Sequence, residues 1–133
     1  MNNILVDTSV WIAYFKGDPM VMDLDQDINA NRICVNDLIL SELLPSIRLK
    51  NENRLADILE TVNKLPLTIG WEQIREYQLI NLRNGINKVG IPDLIIFQNA
   101  IEHGVELFTL DRHFQLMAEH IDCKVVGSSR FSD

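Results

Sequence analysis

Short apolar runs alternate with amphipathic segments along the 133 residues of this chain. Five runs have the length and residue types of buried strands. They lie at Ile4–Val6, Ile33–Val35, Leu67–Ile69, Glu106–Leu110 and Lys124–Val126. Strands that alternate with helices form parallel sheets whose two faces are both covered. The pattern therefore predicts an α/β fold with a central parallel sheet of about five short strands, flanked by helices on both faces.

Helices are predicted between these strands from apolar residues at helical spacing and from capping residues. They span Thr8 to Lys16, Asp18 to about Asn29, a segment that begins at Asn36 or Asp37, Glu52 to Lys64, Trp71 to about Asn84, Asp93 to His103, and Phe114 to His120. Pro45 should kink the third helix or start a new segment. The length fits a single domain over residues 1–133, with a core at about 4–126 and a short loose tail at 127–133.

Four acidic residues stand where an apolar segment begins or ends: Asp7, Glu42, Asp93 and Asp111. Asp7 and Asp111 directly follow predicted strands, and the carboxyl ends of parallel strands meet at one edge of a sheet. Asp93 lies in the first turn of a predicted helix, and Glu42 about one turn into another. The sequence thus puts at least two, and up to four, carboxylates at the same edge.

Carboxylates that share one site repel each other, by roughly 4 kcal/mol for two charges about 4 Å apart at an effective dielectric constant near 20. Mg²⁺ or Mn²⁺ would relieve this repulsion, because both are hard ions that prefer carboxylate oxygen and keep bound waters. A water on such an ion ionises readily and attacks phosphorus, so the acids favour phosphodiester hydrolysis. Each acid alone could instead be a helix cap or a solvated residue, and only the joint pattern indicates a metal site.

With these residues in place, the chain resembles PIN-domain proteins, in particular the VapC-type toxin ribonucleases. The resemblance rests on four blocks that occur in family order: Val6–Ile12, Ser41–Leu43, Gly90–Ile96 and Leu107–Phe114. Together the blocks extend over residues 4 to about 126. The set is highly specific, although each block by itself is weak.

The resemblance implies a metal-dependent endoribonuclease, the toxin of a toxin–antitoxin pair. The family's acidic residues, which hold Mg²⁺ or Mn²⁺ and carry catalysis, match Asp7, Glu42, Asp93 and Asp111. Its supporting hydroxyl positions match Ser9 and Thr109, for which local backbone capping is an equal alternative. The resemblance also implies a homodimer, and an antitoxin that occupies a groove and places a basic side chain into the acidic site.

The net charge of −7 argues against a protein held to nucleic acid by bulk charge alone. Local cations must then position RNA, and Arg112, beside Asp111, is the best placed of them, unless it pairs with an acid. No apolar run approaches the ~18 residues of a membrane helix, and the chain lacks a basic secretory start, so a cytoplasmic protein is expected. Cys34 and Cys123 match no zinc or redox spacing and are predicted to be buried thiols.

Three alternatives stay open. A PIN nuclease could process RNA without an antitoxin, and a PIN-like binding protein could have lost catalysis, although all four acids remain. A magnesium-binding phosphoacceptor receiver domain has a similar size and a similar alternation of strands and helices. That fold requires two adjacent acids after its first strand and a lysine after its last, whereas here Thr8 follows Asp7 and Lys124 precedes Val125.

Overall fold

The computed structural model describes residues 3–127 and contains one five-stranded parallel sheet, in the order β3-β2-β1-β4-β5. The strands are β1 (Ile4–Val6), β2 (Ile33–Val35), β3 (Asn63–Lys64), β4 (Glu106–Phe108) and β5 (Val125–Val126). The predicted α/β fold with a central parallel sheet is therefore confirmed. Of the tail predicted at 127–133, residues 128–133 lie outside the described residues.

The helices are α1 (Thr8–Phe15), α2 (Leu24–Asn29), α3 (Asp37–Leu49), α4 (Asn53–Thr61), α5 (Trp71–Arg83), α6 (Ile91–His103) and α7 (Arg112–Met117), with a 3-10 turn at Pro19–Val21. The strand order runs outward from β1 in both directions. Because crossovers between parallel strands are right-handed, this order puts α1 to α4 on one face of the sheet and α5 to α7 on the other. Helices cover both faces, as the sequence predicts.

The central strands and the helix that carries Asp93 supply the core. Every residue of β1 is fully buried, as is Phe97 of α6. The Phe97 ring lies edge-on to Tyr77, with centroids 5.9 Å apart, and stacks on Phe114 at 6.3 Å. These aromatic contacts join α5, α6 and α7 into one layer, and α6 thereby gains a fixed place beside β4.

The third strand differs from the prediction, because it is Asn63–Lys64 and not Leu67–Ile69. Asn63 pairs with Cys34, and the ladder ends where Leu65 N donates to Val35 O at 2.8 Å. A polar two-residue edge strand has no apolar periodicity to reveal it, and Pro66 has no N–H with which to continue the ladder. Helix α4 consequently ends at Thr61 instead of Lys64.

Two helix predictions also need correction. The segment expected to be one helix from Asp18 to about Asn29 is divided into the turn Pro19–Val21 and α2, although the Asp18 carboxylate caps the turn at Met20 N as expected. Helix α3 continues through Pro45, so no new segment starts there. The ring removes one backbone donor, but the flanking turns keep the helix intact.

Both cysteines are free thiols, and burial raises the pKa of each, that of Cys123 to about 11. Cys34 is fully buried, as predicted, whereas Cys123 is only partly buried. Within residues 3–127, no helix has the length and apolar character that crossing a bilayer requires.

We expect Phe97→Ala to lower the free energy of unfolding by about 3–5 kcal/mol, because it leaves a cavity between two aromatic rings. Urea denaturation followed by circular dichroism measures the change. Leu49→Ala is the matched control, since the Leu49 side chain is 84% exposed, and it should change stability by less than about 0.5 kcal/mol. Equal losses in both variants would contradict this account of the core.

Candidate active site

Asp7 and Asp111 lie at the carboxyl edge of the sheet, where β1 and β4 end side by side. Val6 pairs with Phe108, and Asp7 N donates to Phe108 O at 2.9 Å. The strand order reverses at this point, since β1 has β2 on one side and β4 on the other. The connections that leave β1 and β4 therefore diverge and open a crevice, which is where parallel α/β sheets bind ligands.

The Asp7 carboxylate is 5% exposed and is held by two hydroxyl groups. Its Oδ2 accepts hydrogen bonds from Ser9 Oγ at 2.9 Å and from Thr109 Oγ1 at 2.8 Å. Asp7 makes no side-chain capping bond to α1, so capping does not explain its presence. Ser9 and Thr109, the two predicted supporting hydroxyls, both point at Asp7 and leave its second oxygen for another partner.

The same two hydroxyls also fix the backbone that leads to Asp111. Ser9 Oγ accepts from Leu110 N at 3.1 Å, and Thr109 Oγ1 accepts from Asp111 N at 2.9 Å. Each hydroxyl thus donates to Asp7 and accepts from the β4–α7 connection. The relative position of the two carboxylates at the sheet edge is set by this shared pair.

Glu42 lies on the exposed side of the crevice, on α3, and its Oε1 accepts a hydrogen bond from Thr8 Oγ1 at 2.8 Å. The sequence analysis did not assign Thr8 to the site. The sequence gives one hint that Thr8 belongs to the site, which is its position directly after Asp7. A threonine at the start of a helix is usually interpreted as a helix-forming or capping residue. The contact joins α3 to the beginning of α1.

Asp111 is held by the residue two positions further along. Its Oδ1 accepts from His113 N at 2.9 Å and lies 3.0 Å from His113 Nδ1. Asp111 therefore caps α7, the alternative role considered for it, and still has Oδ2 available. Neither His113 as a partner of Asp111 nor Thr8 as a partner of Glu42 was anticipated. Arg112 is exposed and forms no ion pair within residues 3–127.

Asp93 interacts electrostatically with the other three acids. Burial, followed by the charges of Asp111, Asp7 and Glu42, raises the pKa of Asp93 from 3.8 to about 6, against a hydrogen bond from the backbone of Gly90 that lowers it. Burial is the largest contribution to this shift, and the charges of the three other carboxylates add to it. The four acids that the sequence singled out therefore lie in one region of the structure and interact through their charges.

Within the described part of the chain, no group of three or more His, Cys, Asp or Glu side chains is placed so that it could hold a metal ion. The arrangement is an open one, with free carboxylate oxygens on Asp7 and Asp111 beside the raised-pKa carboxyl of Asp93. Such a donor set, all oxygen and rich in charge, fits Mg²⁺ or Mn²⁺ held partly through water better than it fits a closed zinc centre.

An acidic crevice at the reversal point of a parallel α/β sheet is a place where such folds bind ligands, and its carboxylates suit a divalent cation. A model of the PIN domain family matches residues 4–120. The chain belongs to the PIN domain family, a family of nucleases. This assignment argues against the receiver-domain alternative.

Solved structures share the fold over nearly their whole length. FitAcB from Neisseria gonorrhoeae has a TM-score of 0.69 and 18% identity, covering 94% of this chain and 97% of that one. DNA-bound VapBC from Salmonella typhimurium has a TM-score of 0.68, 20% identity and coverage of 96% and 99%. A toxin–antitoxin complex from Klebsiella pneumoniae has a TM-score of 0.65, 24% identity and coverage of 95% and 98%. A comparison with curated protein sequences gives no match.

The raised pKa of Asp93 predicts how the stability of the metal-free protein depends on pH. A folded-state pKa of about 6, above the ordinary 3.8, means that the folded protein binds this proton more tightly than the unfolded chain does. The resulting stabilisation is complete below pH 3.8 and is lost as the pH rises through about 6. We expect Asp93→Asn to melt several degrees higher than the parent at neutral pH in chelator, and to lose that advantage in acid.

Thermal melting at a series of pH values measures this difference. Asp57→Asn, which removes an exposed carboxylate of α4, is the control and should show no comparable pH-dependent gain. A parent protein that melts as high as Asp93→Asn at neutral pH would show that burial and the neighbouring acids do not raise the pKa of Asp93 in the fold.

Proposed function

We propose that this protein is a metal-dependent endoribonuclease that hydrolyses RNA phosphodiester bonds, and that it is the toxin of a toxin–antitoxin pair. The observation that carries the proposal is the placement of acids around one crevice: Asp7 and Asp111 are linked there through the hydroxyls of Ser9 and Thr109. The charges of Asp111, Asp7 and Glu42 also add to the effect of burial in raising the pKa of Asp93. Membership of a nuclease family supports the chemistry, and likeness to a toxin–antitoxin complex supports the biological role.

The proposed metal ligands are Asp7, Glu42, Asp93 and Asp111, with Mg²⁺ or Mn²⁺ as the ion. When bound, such an ion would make a coordinated water more acidic and neutralise charge on the phosphate. The chain contributes orientation: Ser9 and Thr109 occupy one oxygen of Asp7, and His113 occupies one oxygen of Asp111, so that the other oxygen of each is presented in a fixed direction. In-line attack would leave a 5′-phosphate and a 3′-hydroxyl.

We infer that Arg112 binds a phosphate of the RNA beside the cut. It directly follows Asp111, its side chain is exposed, and it has no ion pair within residues 3–127. In a chain of net charge −7, a free guanidinium at the rim of an acidic crevice is a local exception. Its planar donors suit bidentate binding of phosphate.

The proposed antitoxin would occupy a groove between α1, α3 and α4, with a volume of about 290 Å³. Its lining combines apolar and charged side chains, and Glu42 is one of them, so a segment lying in the groove would reach the acids. A basic side chain on that segment would pair with carboxylates that the metal otherwise neutralises. We also propose a homodimer, which would cover the exposed Trp71, Leu79 and Leu82 of α5.

The same site would serve a PIN nuclease that processes RNA without an antitoxin. The groove that runs up to Glu42 favours the toxin, because an inhibitor lying there would have direct access to the site. Retention of all four acids, each with its own hydrogen-bond partner or electrostatic coupling, argues against a binding protein that has lost catalysis.

Asp7→Asn should reduce RNA cleavage more than about 100-fold, because it removes a charge and a ligand while keeping the shape and both hydroxyl bonds. Purified protein is incubated with end-labelled RNA in Mg²⁺ or Mn²⁺, and the ends of the products are identified. Chelator should abolish cleavage by the parent, and Asp57→Asn should cleave normally. In cells, brief expression of the parent, but not of Asp7→Asn, should cut cellular RNA and arrest growth. Cleavage that survives in chelator would refute the proposed mechanism.

Arg112→Gln should raise KM for RNA about tenfold, in line with one charge-assisted phosphate contact, and leave kcat nearly unchanged. The slope of log affinity against log salt should also become shallower by about 0.7. Arg83→Gln removes an exposed cation from the last turn of α5 and serves as the matched control. If both variants weaken RNA binding equally, Arg112 has no special place in the substrate path.

A further inference from the structure

Two buried asparagines join the helix that carries Glu42 to the helix that carries Asp93. Asn36, at 0% exposure, caps α3 by accepting a hydrogen bond from Ile39 N at 2.9 Å. Its Nδ2 donates to Asn99 Oδ1 on α6, also at 2.9 Å. Asn99 is 2% exposed, and its own Nδ2 donates to Pro66 O at 2.9 Å. The chain of bonds runs from α3 through α6 to the segment that leads into α5.

This pair contributes little to stability as such. A satisfied hydrogen bond adds about 1 kcal/mol net, and two apolar side chains of similar shape would often serve as well. What the asparagine pair adds is a fixed direction of contact between the two helices. Apolar contacts in general tolerate sliding, whereas a hydrogen bond weakens steeply when its distance or angle changes. The amide pair therefore fixes how the two helices lie against each other.

Both asparagines stand close along their helices to an acid of the site. Glu42 follows Asn36 within two turns of α3, and Asp93 precedes Asn99 within two turns of α6. Asn36 also follows β2 directly, at the same sheet edge as Asp7. A shift at the Asn36–Asn99 contact would be carried by rigid helix to both carboxylates.

We propose that Asn36 and Asn99 are positioning residues, which set the separation of Glu42 and Asp93 through their contact between α3 and α6. The proposal rests on the proposed nuclease function of those two acids. It assigns no contact with metal or RNA to either asparagine.

Gln98, the neighbour of Asn99 on α6, offers a matched control. It is 4% exposed, and its side-chain amide also makes three hydrogen bonds, accepting from Gly70 N and donating to Gly70 O and Gln73 Oε1 at 3.0–3.1 Å. These bonds tie α6 to α5 and not to α3. Loss of the Gln98 amide should therefore lower stability without moving Glu42 relative to Asp93.

The test compares Asn36→Ser, Asn99→Leu and Gln98→Met. The serine hydroxyl can still cap α3 but is too short to reach Asn99, and the leucine keeps the branched shape of asparagine in a larger side chain without the amide. Spin labels on Ser46→Cys in α3 and Glu102→Cys in α6, both exposed positions, report the helix separation in metal-free protein. A Cys123→Ser background removes the partly exposed thiol, while Cys34 is fully buried. Unlabelled variants are then assayed for Mn²⁺ affinity and for RNA cleavage.

In both asparagine variants we expect a shifted or broadened label distance, Mn²⁺ affinity about tenfold weaker, and lower kcat at saturating Mn²⁺ with unchanged KM for RNA. Gln98→Met should keep the parental distance and Mn²⁺ affinity, even where its melting temperature falls as far. The two asparagine variants break the Asn36–Asn99 bond from opposite helices, and Asn99→Leu also removes the bond to Pro66 O, so either variant that folds is sufficient.

An unchanged label distance in the asparagine variants would overturn the positioning proposal, whether or not the parent cleaves RNA. So would an equal loss of Mn²⁺ affinity in Gln98→Met. A parent chain that neither binds Mn²⁺ nor cleaves RNA would instead refute the proposed function. The label distances would still decide whether the amide pair fixes the separation of the two helices.

Discussion

Parallel pairing of β1 with β2 on one side and β4 on the other is the constraint on which the rest of the molecule depends. Leu5 lies opposite Cys34 and Leu107 at once, in a sheet whose strands all end at the same edge. That register places Asp7 beside Thr109. It also opens the crevice between the connections that leave β1 and β4. A strand shifted by one residue would bury Asp7 in the core or turn it away from its hydroxyl partners.

The acids gathered at this edge make the site a locally unfavourable part of the fold. Three of the four carboxylates have side-chain hydrogen-bond donors, from Ser9 and Thr109, from Thr8, and from His113. Asp93 takes its donor from the backbone of Gly90, and burial together with repulsion from the other three acids raises its pKa. Sites that break the ordinary rules of charge placement are commonly the functional ones, because stability is given up there for chemistry. A cation that completes the charge balance is the simplest reason to keep such an arrangement.

Two sets of polar contacts hold the site in place, one in direct contact with the carboxylates and the other further away. Hydroxyl groups touch the carboxylates and orient individual oxygens. Behind them, the buried amides of Asn36 and Asn99 connect the helices on which two of the acids stand. The apolar core around Phe97 then gives α6 a fixed place beside β4, so the amide contact has a rigid support.

The sequence by itself determined the α/β class, four of the five strands and the four acids, because these depend on local patterns: apolar runs, helical spacing, and acidic residues at the ends of apolar segments. The resemblance to PIN domains pointed to Ser9 and Thr109 as supporting hydroxyls. Tertiary structure alone decided that Thr8 binds Glu42, 34 residues away, and that Asn36 binds Asn99, 63 residues away. It likewise put β3 at Asn63–Lys64, where only pairing with β2 makes a strand. Contacts between distant residues produce no periodic pattern in either segment, because each partner by itself has the features of an ordinary cap or helix residue. Only the packing of the helices against the sheet brings the two partners together.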